Sequence, residues 1–180
     1  MAIEVNGNPK ISIILPTYNG SRYIRESIAS CLNQTYGNIE LIIVDDCSTD
    51  ATPQIIGSLQ DPRIKYIRNE KNQRLPRSLN IGFAAATGDY LTWTSDDNQF
   101  LPDALEKMLG CLQKNKDVDF VYADYYGVYL ETGKKELRTL PDYPDLGRKN
   151  CIGACFLYTS KVYATIGGYD PRYELVEDYE

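Results

Sequence analysis

Two aliphatic runs, Ile11-Ser12-Ile13-Ile14-Leu15 and Ile39-Glu40-Leu41-Ile42-Ile43-Val44, are too continuously apolar for strands with one face in water. Such runs mark parallel strands covered on both sides. Between them Tyr23, Ile24, Ser27, Ile28, Cys31 and Leu32 recur at helical spacing, predicting an amphipathic helix that ends near Gln34. The three segments form a βαβ unit, which commits the chain to the α/β class.

The alternation continues. A helix is expected over about 52–59, with Pro53 suited to its first turn, then a strand over 64–67 and a helix over 75–86 closed by Gly88. The strand 90–93 follows, and Pro102 opens a helix whose Leu105, Met108, Leu109 and Leu112 form one stripe. A fifth strand is expected over 119–122. From 125 to 140 the polar turn Glu131-Thr132-Gly133-Lys134 separates two extended stretches, the pattern of an inserted hairpin. Beyond Lys149 the pattern is less regular, with a turn at Gly167-Gly168.

Composition removes several kinds of chemistry. The chain has 180 residues and no His, which excludes an imidazole base, His-ligated zinc and His phosphotransfer. Its net charge of −6 and its longest basic cluster, Lys134-Lys135, provide no nucleic-acid groove, so no nucleic-acid partner is expected. Five Cys, an odd number without metal-ligand spacing, are expected as reduced thiols. The first apolar run, 11–15, is too short for a signal segment or a membrane span, so a soluble, cytoplasmic chain is expected.

Right-handed crossovers make the order 3-2-1 natural for the first three strands, with the fourth returning beside the first. Ligands of such sheets bind beyond the carboxyl ends of the strands where the order reverses. The loops there read Pro16-Thr17-Tyr18-Asn19-Gly20, Asp45-Asp46-Cys47-Ser48-Thr49-Asp50 and Thr94-Ser95-Asp96-Asp97-Asn98. Any single Asp among them could be a turn or helix cap. Two acidic pairs converging on one crevice instead suit a hard cation, Mg2+ or Mn2+, that shares its shell with phosphates. Neither G-x-G-x-x-G nor a P-loop follows the first strand. Tyr18 beside a rigid proline offers a platform for stacking a planar base, and Asp46 could accept a hydrogen bond from the base's ring N–H.

Ile13-Ile14-Leu15-Pro16-Thr17-Tyr18-Asn19, Val44-Asp45-Asp46-Cys47-Ser48-Thr49-Asp50, Asn80-Ile81-Gly82 with Thr87-Gly88-Asp89-Tyr90, Ser95-Asp96-Asp97, and Glu177-Asp178 follow one another in order. In this the chain resembles family 2 glycosyltransferases of the GT-A fold. The resemblance implies a Rossmann-type sandwich with a mostly parallel central sheet, order 3-2-1-4 at its core, and a small inserted hairpin. It implies one catalytic domain over 1–180, cut short at its C-terminus relative to the family. It also implies inverting transfer of a sugar from a nucleotide-sugar donor, with Mg2+ or Mn2+ as cofactor and UDP as the commonest nucleotide. The family's acceptors include glycans, lipid-linked and protein substrates, often in cell-surface polysaccharide synthesis. Its members can associate with the cytoplasmic membrane face through later segments.

Carried over residue by residue, Pro16, Thr17 and Tyr18 match the loop that packs on the base, and Asp46 matches the carboxylate that reads it. Asp96 matches a ribose or sugar contact, Asp97 the metal ligand, and Asp178 the base that deprotonates the acceptor. Arg74 falls where some members place a base- or phosphate-contacting Arg; the alternative is a solvated Arg beside Lys71 and Arg77. Many members carry a full D-x-D with an Asp where this chain has Thr94, so metal coordination is left to Asp97. The alternative to an enzyme is a nucleotide-sugar-binding module without turnover.

Overall fold

The structure, a computed structural model, describes residues 7–129, 131–141, 152–153 and 155–172. Strand β1 (Ile11–Thr17) is buried along its whole length. It pairs in parallel with β2 (Ile39–Asp45), in register from Ile11 opposite Ile39 to Thr17 opposite Asp45. Helix α1 (Ile24–Leu32) crosses between them. Next come α2 (Thr52–Gly57), with Pro53 in its first turn, and β3 (Ile64–Arg68), parallel to β2. Helix α3 (Leu75–Ala84) then carries the chain across to β4 (Tyr90–Trp93), on the other side of β1. The predicted order 3-2-1-4 is therefore the order found.

Helix α4 (Ala104–Lys114) begins two residues after Pro102, because Asp103 takes the N-cap position. Strand β5 (Phe120–Tyr122) follows, and β6 (Tyr125–Val128) with β7 (Lys135–Arg138) forms a separate two-stranded hairpin as expected. The stretch read as irregular contains β8 (Phe156–Thr159) and α5 (Ser160–Ile166). Strand β8 runs antiparallel to both neighbours and separates β4 from β5, giving the sheet β3-β2-β1-β4-β8-β5.

The two-sided burial implied by the aliphatic runs is literal. Ile11, Ile13 and Leu15 of β1 pack with Ile24 and Ile28 of α1 and with Leu105, Met108, Leu109 and Leu112 of α4. Ile14 faces the opposite layer, with Leu79 and Phe83 of α3 and Phe156 and Tyr158 of β8. Each such aliphatic side chain, fully buried, contributes about 1.5–3 kcal/mol. Helix α3 lies close enough that a Cβ on Gly82 would sit 2.5 Å from Ile14 Cγ2. These two layers clamp β1, and its carboxyl end delivers the loops that form the site.

Candidate active site

Loops after β1, β2, β3 and β4 meet beyond the carboxyl edge of the sheet, and hydrogen bonds lace each to the next. The Asp46 N–H donates to the Thr17 carbonyl at 2.8 Å, continuing the β1–β2 ladder past its last pair. The Asn19 N–H donates to Ser48 Oγ at 2.9 Å, and Asn19 Oδ1 accepts the Thr49 N–H at 2.8 Å. Among the described residues, the non-glycine positions with positive φ are Asn19, Cys47 and Arg74. All three lie in these loops. Backbone strain of this kind persists only where surrounding contacts over-determine it, and it concentrates at functional sites.

The two acids after β2 have different roles. Asp45 is fully buried, accepting the Ser48 N–H and the Tyr66 hydroxyl, each at 2.8 Å, with Arg68 Nε 3.5 Å away. It holds the turn, as a capping Asp would. Burial and then the bond to Asp45 push the Tyr66 hydroxyl up to about 12, so it stays a donor at neutral pH. Asp46 is 4% exposed and reaches across to the loop that follows β3. Its Oδ1 accepts Asn69 Nδ2 at 2.8 Å and the Gln73 N–H at 2.7 Å, and its Oδ2 accepts the Arg74 N–H at 2.8 Å. These bonds hold Arg74 at φ 71°, ψ 167°, a region that normally needs glycine, and Arg74 starts α3 with its side chain exposed.

The β4 loop is tied to β1. Thr17 Oγ1 donates to Asp96 Oδ2 at 2.5 Å. Burial raises the Asp96 carboxyl above its ordinary value and the neighbouring Asp97 charge adds to this, while the Thr17 hydroxyl works against both. Asp97 is exposed. Thr94 is buried and its N–H donates to the Ile14 carbonyl at 2.9 Å, so it belongs to the end of the β1–β4 ladder. Tyr18 is 51% exposed beside buried Pro16 and Thr17, leaving a ring free to stack.

Among the described residues no three Cys, Asp or Glu side chains converge as a ready-made metal site. The donor set fits a hard divalent ion only if phosphate and water oxygens complete the shell, which is how Mg2+ commonly binds nucleotides. Asp97 is the accessible carboxylate for that arrangement. Asp178 lies outside the described residues.

Three organising residues carry no role in the sequence reading: Gly20 and Asp50, which stand in the quoted loops, and Asn69, which stands outside them. A Cβ on Gly20 would come within 2.1 Å of Asp96 Oδ2, so glycine is required for Thr17 and Asp96 to meet. Asn69 becomes visible only when the β3 loop is folded onto Asp46. Asp50 accepts the Ser21 N–H at 3.1 Å and the Thr52 N–H at 2.9 Å. Burial acts to raise the Asp50 carboxyl, but hydrogen bonds from Ser21 and Thr52 outweigh it and hold it well below the usual range. Because its folded pKa is depressed, its stabilisation is complete above the unfolded pKa and is lost as pH falls through the folded value. The melting-temperature gap between wild type and Asp50→Asn should therefore be constant from neutral pH down and narrow only below about pH 4. A gap that closes near neutrality would count against this assignment.

An open α/β sheet carrying acidic loops at its 2-1-4 switch point defines a class of nucleotide-binding folds, here the GT-A fold. The model of glycosyl transferase family 2 matches residues 12–167, and the chain belongs to that family. EpsE of Bacillus subtilis (strain 168) is 38% identical over 173 residues, 92% of this chain and 62% of EpsE. WcaA of Escherichia coli (strain K12), named for colanic acid biosynthesis, is 37% identical over 142 residues, 78% of this chain and 50% of WcaA. In fold, the chain is similar to S. aureus TarS 1–349 in complex with UDP, with TM-score 0.80, 22% identity, and coverage of 94% of this chain and 53% of that one. It is also similar to the mannosyltransferase PcManGT from Pyrobaculum calidifontis in complex with GDP-Man and Mn2+, with TM-score 0.71, 19% identity, and coverage of 92% and 49%. The chain thus spans between about half and three-fifths of these proteins' lengths. Among the described residues no helix is long and apolar enough to cross a membrane.

Proposed function

We propose that this domain transfers a sugar, with inversion, from a UDP-sugar to an acceptor hydroxyl. The observation that carries the reading is the lacing of the β1, β2, β3 and β4 loops into one acidic edge, with Asp46 and Asp96 held and Asp97 exposed. Tyr18 stacks on the base, Asp46 accepts its ring N–H, and Asp96, fixed by Thr17, takes a donor hydroxyl. Arg74, held at the head of α3 by Asp46, presents its guanidinium to the diphosphate. Asp97 is the side chain that would hold Mg2+ or Mn2+, which when bound supplies positive charge against the departing diphosphate. Asp178 takes the proton of the attacking hydroxyl, a role that falls to a carboxylate in a chain without His.

Acceptors of glycan, lipid-linked or protein type all remain within this chemistry. The similarity to WcaA, named for colanic acid biosynthesis, supports a place in polysaccharide synthesis, and we propose the cytoplasmic membrane face as its location. Calorimetric titration with UDP and Mn2+, paired with a donor-turnover assay on the full-length protein, tests the proposal. Metal-dependent UDP binding with sugar release is expected; binding without turnover would replace transfer by a nucleotide-sugar-binding role. Tyr18→Ala should weaken UDP binding about tenfold through lost stacking. Its melting temperature should stay close to wild type, since the ring is half exposed.

A further inference from the structure

Asn69 follows directly on β3, and its backbone N–H donates to the Asp45 carbonyl at 2.9 Å, which extends the β2–β3 ladder by one step. That fixes where its side chain begins. The residue is 7% exposed, and its Nδ2 donates to Asp46 Oδ1 at 2.8 Å and to Ser78 Oγ on α3 at 3.2 Å. Asn69 thus bridges a helix and the carboxylate that faces the base.

A carboxylate offers about four acceptor positions, two on each oxygen. Asp46 Oδ1 has both filled, by Asn69 and by the Gln73 N–H, while Oδ2 has one filled, by the Arg74 N–H. Among the described residues one acceptor position remains, and it is on Oδ2. Guanine presents two neighbouring donors, its ring N–H and its exocyclic amine, which pair with a carboxylate by using one position on each oxygen. Uracil and thymine present a single imide N–H.

We propose that Asn69 determines the base specificity of the donor site: by filling the second position on Asp46 Oδ1 it admits an imide base and excludes guanine. The inference rests on the reading of Asp46 as the base-contacting carboxylate. Asn69 acts through Asp46 and is a positioning residue. Its effect is selective because guanine bound here leaves a donor without a partner in a dry contact, whereas uracil does not.

The test is calorimetric titration of this chain with UDP and with GDP, each in the presence of Mn2+. Wild type is expected to prefer UDP by about tenfold or more. Asn69→Ala opens Oδ1, so the UDP-to-GDP preference should fall about tenfold, with GDP binding gaining rather than both weakening together. A melting curve establishes that the variant is folded. If it is not, Asn69→Ser, whose hydroxyl falls short of Asp46, is measured instead with the same expectation. Equal losses for the two nucleotides would reduce Asn69 to a purely structural role and overturn the inference. Equal affinities in wild type would overturn it too, while leaving the donor site in place. Binding of neither nucleotide by wild type would sink the donor-site reading and this inference with it.

Discussion

Replacing Asp97 by alanine is expected to abolish the divalent-ion-dependent part of UDP binding and to lower sugar transfer by about two powers of ten or more. The size follows from the several kcal/mol a cation contributes against charge building on the leaving diphosphate. Among the described residues of the loops after β2 and β4, no second free carboxylate stands ready to compensate. Asp96 is half-buried and bonded to Thr17, Asp46 is surrounded by donors, and Asp45 is sealed in its turn. The loss should leave the fold intact, because Asp97 is exposed and such substitutions usually change stability by less than about 0.5 kcal/mol. Titration of UDP with and without Mn2+ reads the outcome. Undiminished metal dependence in the variant would remove Asp97 from the cation site.

Gly20→Ala should disrupt the same site from beneath. The added methyl would lie 2.1 Å from Asp96 Oδ2, 2.6 Å from Thr17 Oγ1 and 2.8 Å from Asp96 Cγ. The backbone cannot retreat, since the Gly20 carbonyl accepts the Tyr23 and Ile24 N–H groups, each at 3.0 Å, where α1 begins. Relief therefore requires parting Thr17 from Asp96. We expect a stability loss of about 1–3 kcal/mol, typical of overpacking, and at least a tenfold loss of UDP affinity. Gly110→Ala is the matched control. Nothing lies within 4 Å of a Cβ at Gly110 inside α4, so that change should stabilise the protein by about 0.5–1 kcal/mol. Similar melting temperatures for the two variants would refute the steric argument.

The parts of the fold legible in the sequence are those where one physical constraint acts alone. Burial on both faces writes itself into β1 and β2 as unbroken aliphatic runs, and crossover handedness then orders β3-β2-β1-β4. Strand β8 was not legible because Phe156-Leu157-Tyr158-Thr159 is four residues long and shows neither helical nor alternating periodicity. Its identity as a strand comes from the edges of β4 and β5, which are distant in sequence. At the site, the paired acids after β2 and β4 announced themselves by type and position. The sequence also set Asp46 apart from Asp45 as the candidate base contact. Their partners were not legible: Tyr66 and Ser48 seal Asp45 in its turn, while Asn69, Gln73 and Arg74, all from beyond β3, hold Asp46.

The placement of β8 also governs the order in which the molecule can be completed. The strand that leads into the Asp96-Asp97 loop has β1 on one side and β8 on the other. During synthesis β1, β2, β3 and β4 can assemble as soon as they emerge, but the outer edge of β4 stays open until residue 159 has been made. Over that interval β5 has no neighbour in the sheet either, since the strand it pairs with is β8. Two bare edges coexist in the nascent chain, the condition under which strands pair with the wrong molecule. Shielding of those edges by a chaperone, or delay in translating the stretch between β5 and β8, would therefore affect yield while leaving the finished protein's affinity for nucleotide untouched.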